Sequence, residues 1–169
     1  METAAVLARV QDRYGFIPNL AAHLAESPAS LSAVLGLQEA FERTSLTPQE
    51  QQLVLLAVSN TNECPYCTTV HTGLGRKAGL DVATIQSTTQ RAQLADRRLN
   101  ALRDFAVALV EDKGWVDPEK QAGFLDAGYT RAQVFEVVMG VALKTFTNYC
   151  NHLVGAQPNP EFVAMAAGA

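Results

Sequence analysis

Two cysteines and a histidine stand close together in Asn62-Glu63-Cys64-Pro65-Tyr66-Cys67-Thr68-Thr69-Val70-His71. Proline favours the first helical position, so Pro65 predicts a helix start with Cys64 as its N-cap and Cys67 in its first turn. Unpaired backbone amides and the positive end of the helix dipole there favour thiolate over thiol. His71 follows Cys67 by four residues, one turn along the same face, where an imidazole can take the thiol proton or hold its charge. A dithiol at this spacing can cycle. One thiolate attacks a peroxide oxygen or a disulfide, and the other closes an intramolecular disulfide. The histidine makes Cys67 the expected attacking thiolate, with Cys64, expected to be more exposed at the helix start, resolving and exchanging with the reductant.

Other chemistries use the same residues. Positions 64, 67 and 71 share a helical face, and zinc accepts two thiolates and an imidazole, so Cys150 or His152 as a fourth ligand would complete a tetrahedron. No second ligand pair stands at a recognisable spacing. Buried cysteine can also be no more than a small hydrophobe, the reading given to Cys150. In thioredoxin-like proteins the first cysteine attacks, an order this spacing leaves open. Cys-Pro-Tyr-Cys occurs in glutaredoxins as well, but those place a strand before the motif, whereas a helical segment, 49–60, precedes it here.

The elements that must hold these residues are all helical. Apolar residues recur at helical spacing, as in Leu31, Val34, Leu35 and Phe41, and in Leu99, Leu102, Phe105, Ala106 and Leu109, while strand alternation is almost absent. Starts are marked at Ser27-Pro28, Thr47-Pro48-Gln49-Glu50, Asp117-Pro118 and Thr130-Arg131-Ala132-Gln133, the second and last reading as capping boxes. Glycines 79, 114, 128 and 155 mark stops. The pattern predicts helices near 3–13, 28–43, 48–60, 65–78, 82–90, 95–112, 118–127 and 131–154. The last is apolar on most sides and is expected to be central or to lie in a subunit interface. No internal repeat or long linker breaks the chain, so one multihelical domain over 1–169 is expected.

Composition narrows the partners. The 169 residues are 48% hydrophobic and 18% charged with a net charge of −4, which fits a packed globule. Nucleic-acid binding is disfavoured, because it needs clustered positive charge. The longest apolar run, Leu53 to Val58, is far short of the roughly 20 residues that span a bilayer. Met1-Glu2-Thr3 carries no secretory-signal pattern, so a cytoplasmic location and reduced thiols are expected for the three cysteines. His23 and Trp115 read as surface and packing residues.

The run Leu46-Thr47-Pro48, then Leu53 to Ser59, then Asn62-Glu63-Cys64-Pro65-Tyr66-Cys67 and His71-Thr72 resembles the AhpD-like branch of the carboxymuconolactone decarboxylase family. Gly15-Phe16-Ile17-Pro18-Asn19-Leu20 and Asn148-Tyr149-Cys150-Asn151-His152 are similar to terminal regions of members. The resemblance implies an all-α, AhpD-like fold, a trimeric or hexameric homo-oligomer, and a thiol-dependent alkylhydroperoxidase or disulfide reductase without a cofactor or metal. It also implies a small-molecule peroxide as substrate and a lipoyl-type or thioredoxin-like dithiol as reductant. Decarboxylases of the family act without this cysteine pair, so Cys64 and Cys67 favour the peroxidase branch over lactone chemistry. Two positions depart from the pattern. Gln52 stands where the family's proton relay has a glutamate, and an amide cannot take up a proton as a carboxylate does. Tyr66 stands where some members have a second histidine. Glu50 and Glu63 are not obvious replacements for the glutamate, and His152 is a further candidate to reach the thiols.

Overall fold

The computed structural model describes residues 2–168, which form ten helices: α1 (Glu2–Tyr14), α2 (Asn19–Leu24), α3 (Pro28–Glu42), α4 (Pro48–Thr61), α5 (Pro65–Lys77), α6 (Val82–Thr89), α7 (Arg97–Glu111), α8 (Pro118–Asp126), α9 (Arg131–Val154) and α10 (Pro160–Ala167). The eight expected helices are present, and their starts follow the expected chemistry. Ser27 and Asp117 accept from backbone amides of the first turn, and Thr47 and Thr130 form capping boxes with Glu50 and Gln133. Gly155, at φ +64°, closes α9 in the left-handed conformation that glycine adopts without steric cost. The two helices not foreseen, α2 and α10, have six and eight residues, too few for a periodic pattern to stand out. No helix among the described residues is long and apolar enough to cross a membrane.

α4 is the axis of the fold. Every residue from Leu53 to Ser59 is buried, because α5, α6, α7 and α9 pack around it. Burying a leucine such as Leu53 or Leu56 contributes up to about 3 kcal/mol. The main core joins α4 to Phe41 of α3, Leu102 and Phe105 of α7, Phe124 of α8, and Val137 and Leu143 of α9. At Gly140 a Cβ would lie 2.7 Å from the Phe41 ring and 2.9 Å from Val54, so the glycine lets α9 approach α3 and α4 closely.

α9, expected to be central or to lie in a subunit interface, turns one face to the core and leaves another exposed. Its buried face carries Gln133, Lys144, Thr147, Asn148 and Asn151 among the apolar residues, while Phe135, Val138, Phe146, Tyr149 and Leu153 are exposed. Apolar side chains on several faces made the helix look buried all round. The packing chose the polar stripe for the inside.

A second, smaller core lies under the cysteines: Leu20, Cys64, Tyr66, Cys67, Val70, Ala156 and Phe162. α10 lies against α5, where Gly73 leaves no room for a Cβ beside Met165. The two ends of the chain are tied together above this core. The Asn19 backbone N–H donates to Asn159 Oδ1 at 2.8 Å, and Asn19 Nδ2 donates to the Gln157 carbonyl at 2.8 Å.

Candidate thiol site

The chain enters the site through a strained link. After α4 ends at Thr61 with Asn62 as its C-cap, Glu63 takes φ +54°, a left-handed conformation that costs a non-glycine residue about 1 kcal/mol. The Cys64 amide then donates back to the Ser59 carbonyl at 3.0 Å, so the turn closes α4 and opens α5 with no spare residue. Cys64 is the N-cap, extended at φ −100°, and Pro65 follows at the first helical position. Both placements match the sequence reading. Glu63 itself is exposed, and its contribution here is the backbone turn.

Both sulfurs are completely buried, which corrects the expectation that Cys64 is the more exposed. They lie within hydrogen-bonding reach of one another and share one proton. A hydrogen bond from the Cys67 thiol pulls Cys64 down to about 5 against the opposing effect of burial, helped by the charges of His152 and Lys144. Cys67 is pushed well above the ordinary thiol value, first because its proton is held by Cys64 and then by burial. The reduced pair thus carries one negative charge, resting on Cys64, and resists a second. Asn151 Nδ2 approaches Cys64 Sγ at 3.7 Å, and the Asn148 amide favours negative charge on Cys67. Asn148 is held in turn by Asn62, whose Nδ2 donates to Asn148 Oδ1 at 3.0 Å.

His71 is buried, and its hydrogen bonds go elsewhere than to a sulfur. Nδ1 lies 2.9 Å from Gln52 Oε1, and Nε2 lies 2.7 Å from Lys144 Nζ. The amide oxygen can only accept and the ammonium can only donate. The proton therefore sits on Nδ1, and Nε2 accepts from Lys144. Burial, reinforced by the Lys144 charge, holds His71 well below the ordinary imidazole value, so it is neutral at physiological pH. Direct acceptance of a thiol proton by His71, expected from spacing, is not what this geometry provides. Gln52 does occupy the expected place, fixing the imidazole tautomer without bringing charge.

Lys144 is the functional group that sequence reasoning missed. It is buried, forms no ion pair with a carboxylate among the described residues, and has the thiolate as its compensating charge. A buried ammonium without such compensation is costly. A signal existed: Lys144, Asn148 and Asn151 recur at helical spacing within an apolar helix, marking one polar face. His152, on the same helix, is exposed and acts on Cys64 through charge alone.

The remaining candidates fall around this centre. Tyr66 is buried, its Oη accepts the Leu20 N–H at 3.4 Å, and burial pushes its phenol up to about 12. Cys150 is half-buried against the small core, with its thiol raised by burial. His23 and Trp115 are exposed. Glu50 is held in a separate network by the Tyr129 hydroxyl at 2.9 Å and Arg98 at 3.2 Å. The tetrahedral zinc set is not assembled. His71 Nε2 faces an ammonium, and no group of three or more His, Cys, Asp or Glu side chains is arranged to hold a metal among the described residues.

Two spaces adjoin the cysteines, one lined by Cys67 and one by Cys64. A largely apolar cavity of about 100 Å³ is walled by residues of α1, α2, α3, α5 and α10, with Cys67, His71 and Lys144 in its polar wall. An outer cleft of about 600 Å³ is lined by Cys64, Glu63, Thr68, Thr69 and Arg91. A buried monothiolate that adjoins an apolar cavity and an open cleft can attack a small electrophile in the first and exchange disulfides in the second.

Known proteins bear on this arrangement. The described fold is similar to that of a peroxidase-related protein with an alkylhydroperoxidase AhpD core from Ralstonia eutropha JMP134, with TM-score 0.86, 24% identity, and 97% of this chain and 88% of that chain covered. A peroxidase-related protein from Silicibacter sp. TM1040 gives TM-score 0.84 at 19% identity, covering 96% and 87%. The debrominase Bmp8, whose cysteine-to-alanine variant was crystallised with 2,3,4-tribromopyrrole, gives 0.81 at 16% identity, covering 97% and 89%. No protein of curated function matches. Residues 28–112, half of the chain and the part that holds Gln52, Cys64, Cys67 and His71, match the carboxymuconolactone decarboxylase family. With that match, the chain belongs to the carboxymuconolactone decarboxylase family, and its fold is AhpD-like.

Proposed function

We propose that the protein is a thiol-dependent oxidoreductase of the peroxidase type that needs no cofactor or metal and turns over through a Cys64–Cys67 disulfide. The observation that carries this reading is the buried pair sharing one proton, compensated by Lys144 and set against an apolar cavity. Cys67 faces the cavity, so it is the sulfur that meets a small alkyl hydroperoxide. Passage of its proton to Cys64 across their hydrogen bond delivers the charge for attack. Cys64 faces the outer cleft, where a lipoyl-type or thioredoxin-like dithiol reduces the finished disulfide. Gln52 and His71 position Lys144, Tyr66 walls the cavity, and Glu63 and His152 shape the outer side.

The exposed apolar stripe on α9, Phe135, Val138, Phe146, Tyr149 and Leu153, supports assembly into a homo-oligomer, since such a surface is rarely left to water; the trimeric or hexameric number is carried over from the family resemblance, and the cytoplasmic location and single domain from the sequence reading. A second reading is suggested by the debrominase of similar fold: the same thiols acting on a halogenated aromatic, leaving halide and a disulfide. Lactone decarboxylation would require activity that survives Cys64→Ser and Cys67→Ser together.

The deciding experiment treats the reduced protein with tert-butyl hydroperoxide and maps its cysteines by mass spectrometry. A disulfide confined to the peptide bearing Cys64 and Cys67, with sulfenic acid on Cys67 in the Cys64→Ser variant, is the expected result. Reaction no faster than that of a free dithiol sinks the peroxidase reading. Turnover of a bromopyrrole but not of the hydroperoxide selects the second one.

A further inference from the structure

We propose that Lys144 is the acid that protonates the departing alkoxide, a catalytic role beyond compensating the thiolate. The proposal rests on the peroxidase reading above. It starts from proton accounting. When the Cys67 thiolate attacks the terminal peroxide oxygen, an S–O bond forms, the O–O bond breaks, and the electron pair leaves on an alkoxide. Alkoxides are strongly basic, so a proton must arrive as the bond breaks.

Few groups at the cavity can give one. Gln52 has no acidic proton. His71 is neutral, and its single N–H is committed to Gln52. The thiol proton, passed to Cys64, is needed later to leave with the sulfenic hydroxyl as water. The Tyr66 phenol is held toward its protonated form by burial and is a poor donor. No carboxylate lines the cavity: Glu50 is bound to Tyr129 and Arg98, and Glu63 is on the outer cleft. Of the other titratable groups near the thiols, His152 is exposed and Cys150 lies outside the cavity lining, while Tyr14 also walls the cavity as a neutral phenol whose oxygen accepts from Gln38 at 2.8 Å. Lys144 is the cation in the lining. It lines the same cavity as Cys67, and one of its N–H groups is fixed on His71 Nε2 at 2.7 Å. An ammonium has three donors, and no other hydrogen bond from Nζ forms among the described residues, so the others are available to an incoming peroxide.

The balance closes. One thiolate, one thiol, one ammonium and one hydroperoxide give one disulfide, one alcohol, one water and one neutral amine. Two electrons pass from the sulfurs to the peroxide oxygens, and charge is zero on both sides. Oxidation consumes the thiolate, so the charge lost from sulfur and the proton given by Lys144 leave together and no uncompensated ion remains in the site. Reduction of the disulfide by a dithiol then restores thiolate, thiol and ammonium, the dithiol supplying both hydrogens. Gln52 fits this scheme, because it holds His71 with Nε2 free to accept from Lys144 without adding charge.

The test separates acid catalysis from thiolate stabilisation. Single-turnover rates at pH 7 are measured for the full-length protein and for Lys144→Met with two oxidants: tert-butyl hydroperoxide, whose leaving group needs a proton, and peracetic acid, whose carboxylate does not. Loss of thiolate slows both equally and cancels in their ratio. A rise of at least about 100-fold in the peracid-to-alkyl ratio in Lys144→Met is expected, the lower end of what a general acid contributes. An unchanged ratio overturns the proposal. Wild-type protein that reacts with neither oxidant faster than a free dithiol removes the peroxidase reading and this role with it. Lys144→Arg keeps the charge but holds its proton too tightly to give it up. It is expected to raise the same ratio and serves if the methionine variant does not fold.

Discussion

The shared proton of the cysteine pair ties stability to pH in a way that depends on redox state. Cys64 sits at about 5 in the folded protein against 9.0 for a free thiol. Its folded value is depressed, so its contribution to stability is complete above the unfolded value and is lost as pH falls toward the folded one. Between those values the unfolded chain binds one more proton than the folded chain, a slope of about 1.4 kcal/mol per pH unit. His71, also depressed, adds a slope of the same sign, but only below its unfolded value of about 6.5. The interval from pH 7 to 8.5 therefore isolates the thiolate, which should add about 2 kcal/mol to the reduced protein there. Above the unfolded thiol value the sign reverses, because folded Cys67 retains a proton that the unfolded chain has lost. Urea unfolding at pH 7 and 8.5, in dithiothreitol and after oxidation, reads both effects. The disulfide form and Cys64→Ser should show no thiolate slope. Equal pH dependence in reduced protein and Cys64→Ser would refute the shared-proton account.

Gly140→Ala should destabilise the protein by about 1–3 kcal/mol, because its Cβ would fall 2.7 Å from the Phe41 ring; a thermal melt that matches the wild type contradicts the close approach of α9. Gln52→Glu should raise the His71 titration by placing a carboxylate 2.9 Å from Nδ1, which imidazole proton shifts in NMR would report. An unmoved titration would mean that the carboxylate pairs with another group instead of the ring.

Much of this protein can be read locally. Thr47, Thr130 and Pro65 set helix starts through bonds to their own first turns, and the short step from Cys64 to Cys67 brings the thiols together whatever surrounds them. The all-helical class and the paired thiols follow from such short-range relations, whereas the place of Gln52 beside His71, 19 positions away on the next helix, was legible only through the family resemblance. The sequence did not say which face of α9 turns inward, because apolar residues lie on several of its faces and helical period gives faces, not their direction. It also left the charge distribution open. The proton shared by the cysteines, the neutral state of His71 and the choice of Lys144 as the buried cation depend on burial and on distances through space. Lys144 and His71 are 73 positions apart in the chain yet 2.7 Å apart in the fold. Desolvation and Coulomb energy act over that second distance, and only folding creates it.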